Sequence, residues 1–284
     1  MKTMLNNNNL ETFITNALQE DIGDGDYTSL ACIPTAARGK AHLIIKENGI
    51  LAGIEVAKKI FQKVDKTLKI IILIPEGSTI RKGNIAFTVE GNAQSILKAE
   101  RLVLNCMQRM SGIATATATL VKLCQGTPAK IIDTRKTTPG FRALEKWAVR
   151  IGGGENHRLG LYDMILIKDN HIDYAGGINQ AIKAANDYLK KNKKKLKIEI
   201  EARNLQEMRD IIRIGKIHRI MLDNFSITDL KKAVALIDGK YPIEVSGGIT
   251  AANIRSYAQC QVNYISVGAL THSVKSLDMS LKAF

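Results

Sequence analysis

Residues 197–248, "KIEIEARNLQEMRDIIRIGKIHRIMLDNFSITDLKKAVALIDGKYPIEVSGG", decide the fold, because short apolar runs alternate in them with segments of helical periodicity. The strand ends at Glu201, Asp223 and Ser246 recur about every 22 residues, as does the later end at Gly268. That spacing is the length of one β/α unit. The stretch therefore predicts a parallel sheet with helices packed outside it.

Three more apolar runs extend this pattern on either side. They are "AKIIDT" (129–134), "MILIKD" (164–169) and "YISVG" (264–268). With "KIEIEA", "RIMLD" and "PIEVSG" they make six strands, and polar residues stand at the ends of all six, as the mouth of a barrel requires. We therefore predict an incomplete α/β (TIM-like) barrel, with a doubly wound open sheet as the alternative.

The first third of the chain has a different pattern. A helical segment, "LETFITNALQED", is followed by the irregular "DIGDGDY", and residues 40–89 combine short β-like runs with one helix, "EVAKKIFQKV". This predicts a small α+β sandwich domain. A long helix capped by Ser95 follows it. The predicted division is residues 1–112 for the N-terminal domain with its linking helix, and 113–284 for the α/β barrel catalytic domain.

Composition excludes several classes of protein. Hydrophobic residues make up 45% of the 284, and no apolar run approaches the roughly 20 residues of a membrane helix. The start, "MKTMLNNNNLETF", has no apolar stretch of signal-peptide length, so we expect a cytoplasmic protein. The four cysteines lie far apart without a CxxC pair, which favours free thiols over a zinc site or disulfides.

The net charge of +14 raises the possibility of nucleic-acid binding. The densest basic run, "LKKNKKKLK" at 189–197, has no interleaved aromatic residue and falls at a predicted helix end, where cations suit solvent and the helix dipole. Much of the remaining charge falls in "GGGENHRLGLYDMILIKDNH" (152–171) and its neighbours. This distribution favours a small, strongly anionic substrate over a nucleic acid.

Two acids and two glycine turns stand at the strand ends. Glu201 and Asp223 hold equivalent positions on consecutive units, so they should be neighbours that stabilise positive charge or hold magnesium. Taken singly, each is more often an exposed strand-end acid or a helix cap. The "SGG" at 246–248, followed by a helix, has the features of a phosphate-binding turn, and "SVGAL" at 266–270 would complete it from the next strand.

Four cations, Arg135, Lys136, Arg158 and Lys168, come from two neighbouring strand ends and the glycine loop between them. Like charges held this close are costly unless an anion joins them. Arginine suits carboxylates and lysine suits phosphates, so the predicted ligands carry both groups. His157 could bind a carboxylate or be structural.

At these residues the chain resembles the quinolinate phosphoribosyltransferases, also called nicotinate-nucleotide pyrophosphorylases (carboxylating). The resemblance rests, in order and spacing, on "LQEDIGDGDYTS", "ERLVLNCMQRMSGIAT", "DTRKTTPGFRALEKWAV", "GGGENHRLGLYDMILIKDNH", "EIEARNL", "IMLDNF", "EVSGGIT" and "YISVGALTHS". It covers nearly the whole chain. It implies phosphoribosyl transfer from phosphoribosyl pyrophosphate to quinolinate with loss of CO₂, a step of de novo NAD synthesis, by a homodimer or larger assembly with shared active sites.

The resemblance also implies roles for individual residues. It gives Lys136, Glu201 and Asp223 catalytic roles, with Mg²⁺ held by the two acids together with phosphoribosyl pyrophosphate. Arg101 would reach in from the partner chain. The implied substrate-binding residues are Arg101, Thr134, Arg135, Lys136, His157, Arg158, Lys168, Glu201, Asp223, Ser246, Gly247, Gly248, Val267, Gly268 and Ala269. The remaining alternatives are a related phosphoribosyltransferase for another ring acid, a basic nucleic-acid-binding module and a non-catalytic phosphate-binding barrel.

Overall fold

The computed structural model describes residues 7–284, and the side chains from residue 9 onward. Residues 1–6, on which the prediction of a cytoplasmic protein partly rests, lie outside the described residues. The chain divides into two compact units. Unit 1 comprises the residues up to Ala118 with Thr137–Gly153 and Leu270–Phe284, and unit 2 comprises Thr119–Lys136 and Gly154–Ala269.

Unit 1 contains an antiparallel sheet with strand order β12-β1-β5-β3 and a short β2-β4 pair. Its strands are β1 (Arg38–Ile45), β2 (Gly49–Ile50), β3 (Lys69–Ile72), β4 (Thr79–Ile80), β5 (Ile85–Asn92) and β12 (Met279–Ala283). Alternate residues of β1 and β5 are buried, including Leu43, Ile45, Phe87 and Val89. One face of this sheet therefore covers an apolar core, as the predicted α+β domain requires.

The helices of unit 1 pack around this core. They are α1 (Asn7–Ile22), α2 (Tyr27–Cys32), α3 (Ile54–Val64), most of α4 (Ala93–Leu123), α5 (Arg142–Ile151) and most of α11 (Ala269–His272). The prediction that Ser95 caps α4 was wrong. The helix begins two residues earlier, and the Asn92 Oδ1 atom accepts the Ser95 backbone N–H at 3.0 Å, so Asn92 satisfies that otherwise unpaired donor.

The strands of unit 2 coincide with the six runs predicted from the sequence. They are β6 (Lys130–Ile132), β7 (Ile165–Ile167), β8 (Ile198–Ala202), β9 (Arg219–Asp223), β10 (Ile243–Ser246) and β11 (Tyr264–Ser266). Across the described part of the chain they form one parallel sheet of order β6-β11-β10-β9-β8-β7. Apolar side chains such as Ile200, Ile220, Val245 and Ile265 fill its core.

The strand order confirms the incomplete α/β barrel. From β7 to β11 each strand lies beside its neighbour in sequence, and β11 then pairs with the first strand, β6. A doubly wound sheet would instead reverse direction at a switch point. The ring is open between β6 and β7, where only a single parallel bridge, Ile132 to Glu155, extends the β6 edge within the described residues.

Helices separate most of the strands of unit 2. They are α6 (Asp169–Ala175), α7 (Ile178–Lys191), α8 (Leu205–Ile214), α9 (Ile227–Ile237) and α10 (Ile254–Ala258). The helix expected from Thr250 onward was placed too early, because α10 begins only at Ile254. Asn253 prevents an earlier start: its side chain accepts the Thr250 N–H and donates to the Gly248 carbonyl, which makes a turn there.

The unit boundaries differ from a simple division of the chain into two halves. Residue 112, where the predicted first domain ends, lies inside α4, and residues 137–153 and 270–284 belong to unit 1. The predicted division at 112/113 stays a prediction. Cys106, Cys124 and Cys260 are buried free thiols, and Cys32 is an exposed one, as expected. Of the helices between residues 7 and 284, none is long and apolar enough to cross a membrane.

Candidate active site

The carboxyl ends of the parallel strands place most of the predicted site residues on one edge of the sheet in unit 2. Asp223 at the end of β9 is in register with Ser246 at the end of β10, and Ala202 at the end of β8 is in register with Leu222. All predicted site residues except Arg101 belong to unit 2. Arg101 lies exposed on α4, in unit 1. We call the edge formed by these strand ends the rim.

Glu201 and Lys168 form an ion pair at the rim. Lys168 Nζ lies 3.2 Å from Glu201 Oε2, and the Glu201 residue is only 5% exposed. Burial raises the pKa of Glu201 and the Lys168 ammonium lowers it, while the charge of Asp223 raises it further. The two acids predicted to be neighbours therefore interact electrostatically, and oxygen ligands of this kind fit Mg²⁺.

The double-glycine turn after β10 has a backbone that favours glycine. Gly247 has φ +94° and Gly248 has φ +61°, both in the left-handed region. A Cβ on Gly247 would lie only 2.1 Å from Asn224 Oδ1, so a larger residue would displace the side chain that follows Asp223. The turn can present its backbone N–H groups to an anion, as the predicted phosphate site requires.

After the glycine loop at 152–154, the chain runs parallel to β6. The Glu155 N–H donates to the Ile131 carbonyl at 2.8 Å, which aligns the loop with the strand. Asp133 then fixes the next residues: Oδ1 accepts the His157 N–H at 2.9 Å, and Oδ2 accepts from the Asn156 side chain. Asp133 is fully buried and positions the loop.

Arg158 and its loop are held by two sets of contacts. The Arg158 guanidinium donates to the Met164 carbonyl at 3.2 Å, and the Asp163 carboxylate accepts the N–H groups of Leu159 and Gly160 at 2.7 and 2.9 Å. Burial lowers the pKa of Arg158, and the positive charge of Arg135 lowers it further. The two arginines thus lie close enough to repel each other, which favours an anion between them.

His157 is 8% exposed and lies among buried acids. Its Nε2 atom is 3.0 Å from Glu199 Oε2 and 3.4 Å from Glu244 Oε2, and its Nδ1 accepts the Arg158 backbone N–H at 2.7 Å. Burial lowers the pKa of His157, but the two carboxylates outweigh burial and raise it to about 9. Both ring nitrogens therefore face protein groups, and the contact with a quinolinate carboxylate stays a prediction.

Glu199, Glu244 and Arg219 are charged residues whose roles the sequence reading missed. Arg219 Nη1 lies 2.9 Å from Glu244 Oε2, and its guanidinium stacks 4.1 Å from the centre of the Tyr264 ring. Glu199 is two residues from Glu201 and Glu244 two from Ser246, so each shares a strand face with a rim residue. A charged residue two positions before a strand-end site residue, and so on the same face of the strand, was the sequence feature that could have indicated these roles.

The ligand atoms of His157, Glu199 and Glu244 lie within 4.8 Å of one another, close enough to hold a metal ion. The guanidinium of Arg219 already supplies a cation to these carboxylates. The geometry therefore fits a buried charge cluster, which we call the His157 cluster (His157, Glu199, Arg219 and Glu244).

The remaining predicted residues lie beside the rim. The Lys136 N–H donates to Thr134 Oγ1 at 3.0 Å, which orders the turn after β6, and the Lys136 side chain is exposed. Val267 is buried, and its N–H donates to the Ile132 carbonyl at 3.0 Å. This bond keeps the segment containing Gly268 and Ala269 next to the end of β6.

An incomplete α/β barrel with acids, cations and a glycine turn along the carboxyl ends of its strands is the architecture of an enzyme whose site lies at the rim. Comparison with known families narrows this class. Residues 26–111 match the family model described as the N-terminal domain of quinolinate phosphoribosyl transferase. Residues 113–282 match the model of the C-terminal domain of the same family.

Individual relatives agree with the family models. The chain is 47% identical over 281 residues to quinolinate phosphoribosyltransferase (decarboxylating) 2, mitochondrial, of Nicotiana glauca, covering 94% of this chain and 80% of the relative. It is 40% identical to the probable nicotinate-nucleotide pyrophosphorylase (carboxylating) of Bacillus subtilis strain 168, covering 98% and 94%.

Solved structures extend the likeness to the fold. The nicotinate-nucleotide pyrophosphorylase from Francisella tularensis superposes with a TM-score of 0.92 at 40% identity, covering 99% of this chain and 98% of that one. NadC from Streptococcus pyogenes gives 0.92 at 36% identity, covering 98% and 97%. The chain belongs to the quinolinate phosphoribosyltransferase family, and it is a pentosyltransferase.

Proposed function

We propose that the rim of unit 2 is where this enzyme carries out its family's reaction, the transfer of phosphoribose from phosphoribosyl pyrophosphate to the ring nitrogen of quinolinate. The 2-carboxylate leaves as CO₂, and the products are nicotinate mononucleotide and pyrophosphate, in de novo NAD synthesis. The observation that carries the assignment is the juxtaposition of a buried acid, Glu201, with a lysine and a second acid beside a double-glycine turn.

The carboxylates of quinolinate are assigned to Arg135 and Arg158. Their mutual repulsion is relieved when a dianion binds between them, and a guanidinium can bind a carboxylate through two hydrogen bonds. His157, next to Arg158, is assigned to the same carboxylates; its Nε2 faces Glu199 and Glu244, and its Nδ1 accepts the Arg158 N–H. Thr134 orders the turn that carries Arg135. Together these residues orient the ring nitrogen, which supplies proximity to the anomeric carbon.

The acids and lysines act on phosphoribosyl pyrophosphate. As pyrophosphate leaves, positive charge develops on the ribose, and Glu201 and Asp223 stabilise it. Lys136 and Lys168 contact the departing phosphates. After the ring nitrogen is alkylated it becomes a cationic electron sink, and loss of the neighbouring carboxylate as CO₂ gives a ring carbanion that this nitrogen stabilises. A proton from solvent then adds to that ring carbon and gives nicotinate mononucleotide. The reaction therefore needs no decarboxylation cofactor.

Mg²⁺ is assigned to the carboxylates of Glu201 and Asp223, together with the diphosphate of the substrate. The fit rests on the donor set, because both acids offer the oxygen ligands that this cation prefers and they interact electrostatically. When bound, Mg²⁺ neutralises charge on the leaving diphosphate. The chain's own residues supply the orientation of both substrates.

The 5-phosphate of the ribose is assigned to the turns after β10 and β11. Ser246, Gly247 and Gly248 offer backbone N–H groups and a hydroxyl at one turn, and Val267, Gly268 and Ala269 provide the other. The two turns follow neighbouring strands of the sheet. A barrel enzyme often builds its phosphate site from its last two strand ends.

A shared active site completes the proposal. Arg101 reaches into the rim of a partner chain in a homodimer or larger assembly, where its guanidinium binds a quinolinate carboxylate. Arg101 is exposed on α4, and this exposure supports the role, because a side chain that acts in a partner's site must project from the surface of its own chain. A cytoplasmic location is part of the same proposal.

The test mixes the purified protein with Mg²⁺, phosphoribosyl pyrophosphate and either carboxyl-labelled quinolinate or nicotinate. Formation of nicotinate mononucleotide with one CO₂ per turnover from quinolinate alone is the expected result. Product from nicotinate alone would mean that the enzyme catalyses a related phosphoribosyl transfer without decarboxylation. No product from either acid would overturn the assignment. Omitting Mg²⁺ in the presence of a chelator should abolish turnover.

A further inference from the structure

Asn224 has an unusual backbone at the rim. It follows Asp223 directly and has φ +55°, in the left-handed region. Residues other than glycine are uncommon there, and asparagine is among the best tolerated. The Asn224 N–H donates to the Ser246 carbonyl at 2.9 Å, which ties the end of β9 to the end of β10. Such a conformation persists where neighbouring groups hold it.

The Asn224 side chain contacts Asp223, the acid assigned to the ribose. Asn224 Nδ2 donates to Asp223 Oδ2 at 2.7 Å. A hydrogen bond to one carboxylate oxygen limits rotation of the carboxylate. Asp223 is thus held in one orientation before any substrate arrives.

The same amide also contacts the phosphate turn. A Cβ on Gly247 would lie 2.1 Å from Asn224 Oδ1 and 2.6 Å from its Cγ. The amide therefore fills the space that a side chain at 247 would need. One planar group thus touches Asp223 through its nitrogen and borders Gly247 through its oxygen.

We propose that Asn224 is a positioning residue that sets the spacing between Asp223 and the turn at Ser246, Gly247 and Gly248. Asp223 and the turn are assigned to the ribose and to the 5-phosphate of one substrate, so their spacing determines how well phosphoribosyl pyrophosphate fits. The inference rests on the proposed function. Quinolinate is assigned to other residues, so its binding should not depend on Asn224.

Two variants separate positioning from a purely structural role. Asn224→Gly keeps a residue that tolerates positive φ and removes the amide. Asn224→Asp keeps the shape but replaces the donor with an acceptor that repels Asp223. Gln261, exposed and at φ +64° elsewhere in unit 2, gives the matched control Gln261→Gly.

The measurement is steady-state kinetics with each substrate varied, together with Tm. Asn224→Gly should raise the KM for phosphoribosyl pyrophosphate about tenfold, the lower end of the range found when a partner that orients a metal-binding side chain is removed. The KM for quinolinate and the Tm should match those of Gln261→Gly. Asn224→Asp should raise the KM for phosphoribosyl pyrophosphate further. An unchanged KM, or equal rises in both KM values with a lowered Tm, would overturn the inference.

A double-mutant cycle tests the contact with the turn. Gly247→Ala places a methyl group against Asn224 Oδ1, and its backbone strain is the same whether residue 224 is Asn or Gly. Gly247→Ala should therefore raise the KM for phosphoribosyl pyrophosphate less in the Asn224→Gly background than in the parent. Equal rises in this KM in the two backgrounds would show that Asn224 and Gly247 are not coupled. If the parent enzyme itself lacks turnover with quinolinate, the proposed function fails instead.

Discussion

Glu201 is the residue on which the chemistry most depends, because it is a buried carboxylate beside the assigned position of the ribose. Glu201→Gln keeps nearly the same shape and removes the charge. We expect kcat to fall on the order of 100- to 1,000-fold, the range for losing one preorganised electrostatic contact to a transition state. The Tm should not fall, because removing a desolvated charge offsets the lost ion pair and Lys168 can be solvated.

The matched control for this prediction is Glu155→Gln. Glu155 also pairs with a lysine of unit 2, Lys130 at 2.6 Å, but both side chains are about half exposed, and Lys130 stands at the start of β6, whereas the assigned residues follow the end of that strand. Steady-state turnover of Glu155→Gln should equal that of the parent. A Glu201→Gln enzyme that keeps a large part of its kcat would remove Glu201 from the catalytic groups.

His157 predicts how stability depends on pH. Its pKa is raised from the ordinary 6.5 to about 9, because Glu199 and Glu244 face the ring, with Arg219 beside them. The two carboxylates therefore favour protonated His157, and the imidazolium gives up the hydrogen bond that its Nδ1 accepts from the Arg158 N–H. This contribution to stability, about 3 kcal/mol, is complete below pH 6.5 and is lost as pH rises through about 9.

The comparison is between the parent and His157→Gln, by urea denaturation from pH 6 to 9.5. Glu199 also titrates in this range, because burial and the charge of Glu244 raise its pKa to about 7. The decrease expected for His157 is therefore the loss of the parent's advantage in free energy of unfolding between pH 8 and 9.5. His272→Gln, at an exposed histidine, is the control for the effect of a histidine-to-glutamine change by itself. An advantage that stays constant or grows between pH 8 and 9.5 would contradict protonation of His157 in the folded state.

At the scale of elements, strands could be predicted from the sequence better than helix starts. Each strand of unit 2 is a compact apolar run, so local composition is enough to locate it. The start of α4 depends on which of two nearby polar side chains accepts a backbone N–H, and Asn92 does so rather than Ser95. The start of α10 likewise depends on hydrogen bonds of Asn253, which composition does not reveal.

The sequence also could not predict which partners the side chains on one strand face would have at the site. Alternation placed Glu199 and Glu201 on one face, but the sequence could not show that only Glu201 pairs with Lys168 while Glu199 joins the His157 cluster. That difference comes from depth in the barrel, because Glu199 lies nearer the start of β8 and Glu201 nearer its end. Depth is set by register with neighbouring strands, which is a property of the folded sheet.

At the scale of the whole molecule, the sequence did not predict which strands pair when they are far apart in the chain. Strand β12, at Met279–Ala283, pairs antiparallel with β1 although the two are far apart in the chain. The sequence of these five residues does not by itself predict that β12 pairs with β1. The alternation of strand and helix in unit 2 predicted the barrel correctly because its pairings follow chain order, apart from the closing pair of β11 with β6.

The proposed shared site makes the last prediction, which concerns the assembly. If Arg101 acts in the partner's site, Arg101→Ala and Lys136→Ala should each be inactive alone. A mixed dimer then contains one site with both changes and one with neither. After random exchange of subunits, half of the dimers are mixed, so about one quarter of the parent activity should return.

Activity of the exchanged mixture, measured against each variant alone, checks this prediction. The control mixes Arg101→Ala with a chain carrying both substitutions, where every site lacks Arg101, and it should stay inactive. If the first mixture also stays inactive although mass spectrometry shows mixed dimers, Arg101 and Lys136 serve the same chain's site. The recovered fraction thus distinguishes a site completed by the partner from one that each chain builds alone.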